Sequence, residues 1–180
     1  QSPAYLIDAL DLYVELHPTR TRVRARLQVR INPDGPERRG TLQLDGRQLE
    51  LLQVKIDDRV LSPDEYVVDS EHLAISGVSE RFVLETLVEV NPEANTALEG
   101  LYFASGLFCT QCEAQGFRKI TYYLDRPDVM ACYTTTLVGD RESTPVLLSN
   151  GNLADSGVLE DGRHYATFVD PFPKPSYLFA

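Results

Sequence analysis

Residues 21–31 read TRVRARLQVRI, in which apolar side chains alternate with charged or polar ones. A period of two residues is typical of a β-strand whose two faces lie in different surroundings. A similar alternation precedes it, and His17-Pro18-Thr19 separates the two segments as a turn. The apolar positions of that earlier segment are Leu10, Leu12, Val14 and Leu16. The two segments therefore predict a two-stranded hairpin with one buried face and one solvent-exposed face.

Further short strands are predicted because apolar or β-branched runs are bounded by Gly, Pro, Asn and Asp turns. These runs are 42–44, 49–56, 66–68, 73–75, 82–90, 120–124, 133–138, 146–148 and 165–169, and the irregular spacing within 49–56 is typical of a bulge. Asn150-Gly151 and Asp161-Gly162 are hairpin turn dipeptides, and residues 126–131 have a briefly helical pattern. The prediction is an all-β fold, a twisted antiparallel β-sandwich or saddle with many short strands and little helix.

Length and composition limit the class of protein. With 180 residues, 43% hydrophobic and 24% charged, the chain can form one domain over residues 1–180 with its own core. Three cysteines do not fit a disulfide scaffold. No run of about 20 apolar residues could cross a membrane, and a net charge of −10 argues against binding to nucleic acid. We therefore expect neither a nucleic-acid partner nor a membrane partner.

Arginines are concentrated in the first predicted hairpin, at positions 20, 22, 24, 26 and 30. Their two-residue spacing would place most of them on the solvent-exposed face of one strand. Such a stripe fits either an ordinary solvated strand face or a surface for an anionic ligand. The sequence favours the solvated face.

Local motifs for metal or nucleophilic chemistry are weak. His17, His72 and His164 lie far apart and none belongs to a His-Glu-x-x-His pattern, so they predict no local zinc site. Cys109 and Cys112 form a single Cys-x-x-Cys pair without a second pair. Free thiols, a disulfide and a metal site all remain open for this pair, and free thiols are favoured.

The densest polar cluster is Thr110-Gln111-Cys112-Glu113. On an extended segment Gln111 and Glu113 would point to the same side and offer an amide and a carboxylate to one ligand. A carboxylate in a dry pocket can pair with an ammonium group. The same spacing also fits a solvated strand edge, so the cluster does not define a function by itself.

Three stretches carry a resemblance to a known family: residues 95–102 read NTALEGLY, residues 109–118 read CTQCEAQGFR and residues 120–128 read ITYYLDRPD. With LSNGN at 148–152 and DPFPKP at 170–175, they closely resemble the N-terminal domain of bacterial aminopeptidase N, a family of zinc-dependent aminopeptidases of the gluzincin group. The resemblance covers essentially the whole chain. It implies a β-rich saddle that covers a catalytic domain, which agrees with the predicted fold.

The resemblance also implies roles for two residues. Glu113 would bind the free α-ammonium of a peptide substrate, and Gln111 would line the first substrate pocket beside that amine. The family's zinc ligands lie in His-Glu-x-x-His with a downstream Glu, and its second amine-binding segment is Gly-x-Met-Glu-Asn; this sequence contains neither. The resemblance thus implies zinc in the parent enzyme, no metal ligand or catalytic residue in this chain, and no hydrolysis by this chain alone. Its partners would be the N-terminus of the peptide substrate and the catalytic domain of the same polypeptide.

Two other hypotheses remain beside this one. The chain could be a stand-alone β-sandwich module that binds peptides without catalysis, or an independent enzyme with Cys109 or Cys112 as nucleophile and a histidine partner. The apolar segment at residues 176–180 predicts that the chain is a piece of a longer protein, here its N-terminal domain. The three cysteines and the lack of an export signal predict a cytoplasmic location.

Overall fold

The computed structural model describes residues 2–36 and 40–180, and strands dominate this part of the chain. The strands are β1 Tyr5–Glu15, β2 Thr21–Ile31, β3 Thr41–Asp45, β4 Glu50–Ile56, β5 Arg59–Val60, β6 Tyr66–Val68, β7 His72–Ser76, β8 Arg81–Val90, β9 Gly100–Ala104, β10 Leu107–Gln111, β11 Ala131–Gly139, β12 Asn152–Val158 and β13 His164–Lys174. Two single 3₁₀ turns, Phe117–Lys119 and Ser176–Leu178, are the helical elements of the described residues. Neither could span a membrane.

The strands form three sheets. The large sheet has eight strands in the order β12-β13-β11-β1-β2-β8-β4-β5, a small sheet has the order β3-β7-β6, and β9 pairs with β10 in a separate hairpin. The apolar face of β1, β2 and β8 shares one core with the apolar side chains of β3 and β7. Leu10, Leu27, Leu42 and Leu73 are all fully buried there. The predicted all-β, sandwich-like fold is confirmed.

One pairing in the large sheet differs from the antiparallel prediction. β1 pairs with β2 antiparallel, as predicted for the first hairpin, but it pairs with β11 in parallel along its other edge. After β8 the chain passes through the β9–β10 hairpin and residues 112–130 before it re-enters the sheet. A crossover of this length allows β11 to lie beside β1 in the same direction.

Several local predictions are confirmed and others are wrong. The register shift between Leu51 and Gln53 is the bulge predicted in β4, and Asp161-Gly162 lies in the hairpin between β12 and β13. Residues 120–124 and 146–148 are not strands. Residues 126–131 are not a helix either: the Val129 N–H donates to the Arg126 carbonyl and closes a turn, and β11 begins at Ala131. Because 146–148 is not a strand, Asn150-Gly151 does not close a hairpin.

The strand predicted at residues 120–124 is wrong because all five residues are buried in irregular chain. Their alternation is therefore lost, and Tyr123 forms only an isolated bridge with Asp45. A buried apolar run is compatible with a strand or with irregular backbone, so periodicity cannot separate the two.

The arginines of β2 lie on the exposed face of the large sheet among carboxylates from neighbouring strands. Arg24 instead stacks on Tyr13, with its guanidinium 4.8 Å from the ring centroid. The ion pairs are Arg20 and Arg22 with Glu89, Arg26 with Glu85 and Asp58, and Arg30 with Asp8, at 2.7–3.4 Å. This local neutralisation favours the solvated strand face over a surface for an anionic ligand.

Candidate functional site

The candidate site is carried by the β9–β10 hairpin, which the sequence analysis did not predict as two strands. Ser105 and Gly106 connect the strands with φ of 53° and 82°. Two consecutive left-handed residues match the twist of a tight hairpin. β10 then runs from Leu107 to Gln111, where Gln111 is opposite Gly100. The hairpin therefore delivers Gln111 at the end of a paired strand.

Gln111 and Glu113 are both exposed, and Cys112 between them is buried at 1% relative accessibility. Glu113 lies in a turn just beyond β10 rather than in extended chain, and the Gly116 N–H donates to the Cys112 carbonyl at 2.9 Å. Among the residues that the structure describes, neither the Gln111 nor the Glu113 side chain has a hydrogen-bond or ion-pair partner. The domain thus presents both groups to solvent, and it does not by itself form a dry pocket around Glu113.

Close backbone packing fixes the base of this segment. A Cβ atom placed on Gly116 would lie within 3.0 Å of main-chain atoms of Gln111, Gly100 and Cys112. The φ of Gly116 is −81°, so glycine is needed for space and not for an unusual conformation. Three separate stretches of backbone therefore meet at this glycine, directly behind the exposed side chains.

An aromatic cluster supports the segment from below. The Phe117 ring lies 5.0 Å from the Tyr123 ring, 5.1 Å from Phe179 and 6.1 Å from Tyr133, all with edge-on geometry. Such arrangements of large buried rings add packing energy and restrict rotation. Because Phe117 follows Gly116 directly, this cluster restrains the turn that contains Glu113.

A buried carboxylate adds a second restraint. The Asp125 side chain is 1% exposed and forms an ion pair with the Arg118 Nε at 3.0 Å. The Arg118 main-chain N–H and the Ser176 hydroxyl also donate to Asp125, at 3.2 and 2.5 Å. Arg118 has a second carboxylate, Asp45, at 3.5 Å. The Asp125 network, defined here as Asp45, Arg118, Asp125 and Ser176, ties β3, the 3₁₀ turn after Glu113 and the segment near residue 176 together.

An apolar groove lies beside β10, with a volume of about 310 Å³. Leu107, Val146 and Leu148 are 65%, 70% and 75% exposed at this groove. Its other apolar walls include Leu16, Phe108, Leu137 and Phe179. Contiguous exposed apolar side chains of this kind are unusual on a surface that stays in water.

The three cysteines are free, as the sequence analysis favoured. The histidines have other partners: His17 contacts Thr19, His72 contacts Asp69, and His164 contacts the Thr144 carbonyl. Within residues 2–36 and 40–180, no group of three His, Cys, Asp or Glu side chains could hold a metal ion. The structure therefore offers no support for a cysteine nucleophile paired with histidine.

Burial raises the pKa of the Cys112 thiol to about 12, and the nearby Asp125 carboxylate contributes to the rise. At pH 8 we expect about a thousandfold less thiolate at Cys112 than at a thiol of ordinary pKa near 9. Iodoacetamide should therefore label Cys109 and Cys132, which are half-buried, far faster than Cys112 in the native protein. Peptide mapping after timed labelling measures this, and equal labelling of Cys112 before unfolding would contradict it.

Comparisons with known proteins all identify the same family. The model of the peptidase M1 N-terminal domain matches residues 8–178. The chain is 51% identical to aminopeptidase N of Caulobacter vibrioides over 98% of its length and 47% identical to aminopeptidase N of Escherichia coli over 100% of its length. It spans about a fifth of these relatives, 20% in each case.

Solved structures have the same fold. Legionella pneumophila aminopeptidase A, in complex with aspartic acid, is similar to 99% of the chain with a TM-score of 0.94 and 35% sequence identity, and the chain covers 21% of it. The M1 zinc metallopeptidase from Deinococcus radiodurans is similar over 99% of the chain with a TM-score of 0.82, covering 42% of that protein. At 16% identity, that second likeness concerns the fold alone.

Proposed function

The chain belongs to the peptidase M1 N-terminal domain family, and on that premise we propose that it caps the active site of a zinc-dependent aminopeptidase and recognises the free α-amine of the substrate through Gln111 and Glu113. One observation carries this proposal: β10 lines the apolar groove from Leu107 to Thr110 and ends at Gln111. A domain seated on the groove would therefore lie next to Gln111 and Glu113.

The occupant that we propose for the groove is the catalytic domain of the same polypeptide. The relatives that match are about five times as long as this chain, so a large part of the parent polypeptide is available to cover it. The exposed side chains Leu107, Val146 and Leu148 are of the kind that forms the buried centre of an interface between domains. Covering them would also remove water from the end of β10.

Removal of water matters for the proposed role of Glu113. An ion pair between an exposed carboxylate and an ammonium group contributes only about 0–1 kcal/mol, because water screens it. A desolvated, hydrogen-bonded pair discriminates strongly, since a substrate without the charge leaves its partner buried and unpaired. Glu113 is exposed in this chain, so selectivity for a free amine requires the catalytic domain in place.

The proposed roles of the catalytic domain and of this N-terminal domain differ. The proposed zinc lies in the catalytic domain, where it would activate the attacking water. Glu113 would hold the ammonium and Gln111 would line the pocket beside it, so the domain orients the substrate and excludes water. An acylated N-terminus would leave Glu113 unpaired, which suits an enzyme that acts at the free end of a peptide. We propose a cytoplasmic location, which the three free thiols suit.

The stand-alone peptide-binding module gains no support. Its defining expectation is a protein of about this length that binds ligand by itself, whereas the matched relatives carry this sequence as 20% of a longer chain. The groove fits both a stand-alone module and a domain of a longer enzyme. The two hypotheses therefore differ in what covers the groove.

A charge introduced into the groove tests the capping role. We expect the double substitution Val146→Asp with Leu148→Asp in the full-length polypeptide to lower kcat/KM at least about tenfold, because two carboxylates would be buried against an apolar partner. The measurement is steady-state hydrolysis of an aminoacyl p-nitroanilide, with the thermal midpoint recorded in parallel.

Val67→Asp is the matched control. Val67 is 69% exposed, close to the 70% of Val146, but it lies on β6 of the small sheet. We expect Val67→Asp to leave kcat/KM unchanged. The groove variant should not unfold the domain itself, because Val146 and Leu148 are mainly exposed in it. Equal kinetics for the groove variant and the control would contradict docking at this groove.

A further inference from the structure

Residues Ser149 and Asn150 hold the main chain of residues 178–180 with four hydrogen bonds. The Asn150 Oδ1 accepts from the Ala180 N–H at 2.6 Å, and the Asn150 Nδ2 donates to the Leu178 carbonyl at 3.2 Å. The Asn150 N–H and the Ser149 hydroxyl both donate to the Ala180 carbonyl, at 3.0 and 2.6 Å. The amide of Asn150 thus pairs with residues 178 and 180 as a neighbouring strand would.

Phe179, between these two residues, is anchored in the core. Its side chain is 7% exposed and lies 5.1 Å from Phe117 and 5.9 Å from Tyr133, measured between ring centroids. The main chain on either side is held by Asn150, and the side chain is held by the aromatic cluster. Both the position and the direction of the chain at Ala180 are therefore fixed.

The same aromatic cluster also supports the turn that contains Glu113. Phe117 is four residues after Glu113 and directly follows Gly116, whose backbone packs against Gln111. The Phe117–Phe179 contact therefore places the path of residues 178–180 and the base of the Glu113 turn in one packed unit. Phe179 and Ala180 also line the groove beside β10.

We propose that Asn150 is a positioning residue, which sets the direction in which the parent polypeptide continues beyond Ala180 and thereby the placement of the catalytic domain over Glu113. This inference rests on the proposed function, in which the rest of a polypeptide about five times longer follows this N-terminal domain. In this proposal Asn150 acts through the path of the chain, and it is not assigned a contact with the substrate or the reacting atoms.

The effect of Asn150 on activity should exceed its effect on stability. Side-chain hydrogen bonds contribute about 1 kcal/mol each, and Asn150 is only half-buried. A displacement of about 1 Å between binding groups can lower a reaction rate about 100-fold. A residue that sets the relation between two domains therefore acts on alignment more than on folding.

The test uses the full-length enzyme and an aminoacyl p-nitroanilide as substrate. We expect Asn150→Ala to raise KM about tenfold with a smaller change in kcat, because Glu113 contributes to binding the amine in the ground state as well as in the transition state. Asp69→Ala is the control, since it also removes two hydrogen bonds between a side chain and the main chain, in this case from two N–H groups at 2.7 and 2.8 Å in the turn between β6 and β7. We expect the control to leave KM unchanged.

A double-mutant cycle identifies the route of the effect. If Asn150 acts through Glu113, Asn150→Ala should change KM little on a Glu113→Ala background. An unchanged KM for the single variant, or the same tenfold rise on the Glu113→Ala background, would overturn the positioning role. If Glu113→Ala by itself leaves KM unchanged, the proposed function fails as well, so the two failures are distinguishable.

Discussion

Replacing Glu113 with alanine in the full-length enzyme should lower kcat/KM for peptides with a free α-amine about 100-fold. In the proposed complex the carboxylate is desolvated by the catalytic domain and paired with the substrate ammonium. Removing one partner of a desolvated ion pair leaves the other charge unpaired, at a cost of about 3 kcal/mol. Steady-state kinetics with a free-amine dipeptide measure this loss directly.

Two further variants separate charge from shape and from general effects on the domain. Glu113→Gln keeps the size of the side chain and removes the charge, so we expect most of the loss to persist. Glu80→Ala removes another exposed glutamate, directly before β8, and should leave kcat/KM unchanged. Unaltered kinetics for Glu113→Ala would remove this residue from the site.

Replacing Asp125 with alanine should destabilise the isolated domain by about 3–5 kcal/mol. The carboxylate is 1% exposed, and its loss would leave the Arg118 guanidinium without its nearer partner and the Ser176 hydroxyl without an acceptor. Breaking a buried pair by removing one member has a cost of this size, which is a large part of the 5–15 kcal/mol that stabilises a typical domain. Urea denaturation followed by circular dichroism gives the free energy of unfolding.

Asp128→Ala is the matched control for this measurement. Asp128 pairs with Arg126 at 2.8 Å, but the two side chains are 49% and 39% exposed. Exposed pairs contribute about 0–1 kcal/mol, so this variant should unfold within about 1 kcal/mol of the unaltered domain. A similar loss for both variants would show that burial of Asp125 does not determine the cost.

Local alternation was sufficient to predict only those neighbouring strand pairs whose residues alternate cleanly. The β1–β2 hairpin and the bulge at Leu51 were predicted because each is encoded within a few residues. The β9–β10 hairpin was missed because its strands do not alternate cleanly; residues 108–110 are all half-buried. Its signal was the Ser105-Gly106 dipeptide, a turn pair that sequence reasoning could have used.

The family resemblance predicts the residues of the candidate site, and their role stays a prediction, whereas the contacts that support those residues were not predicted from the sequence. Gln111 and Glu113 were found through the family resemblance, since their spacing fits a solvated strand edge equally well. The Asp125 network joins Arg118 to Ser176, 58 positions apart in the sequence. No periodicity connects residues at that separation, because only the packed fold brings them together.

The arginines on the exposed face of β2 have a consequence beyond their ion pairs. Each exposed pair contributes little, yet Arg22, Arg24 and Arg26 alternate with residues such as Val23 and Leu27 that are 0% exposed. A slip of β2 by one position against β1 or β8 would exchange the two faces. Every odd-numbered slip would then bury several guanidinium groups among apolar side chains, at several kcal/mol for each unpaired charge. The arginines therefore secure the correct strand pairing mainly by excluding the incorrect ones.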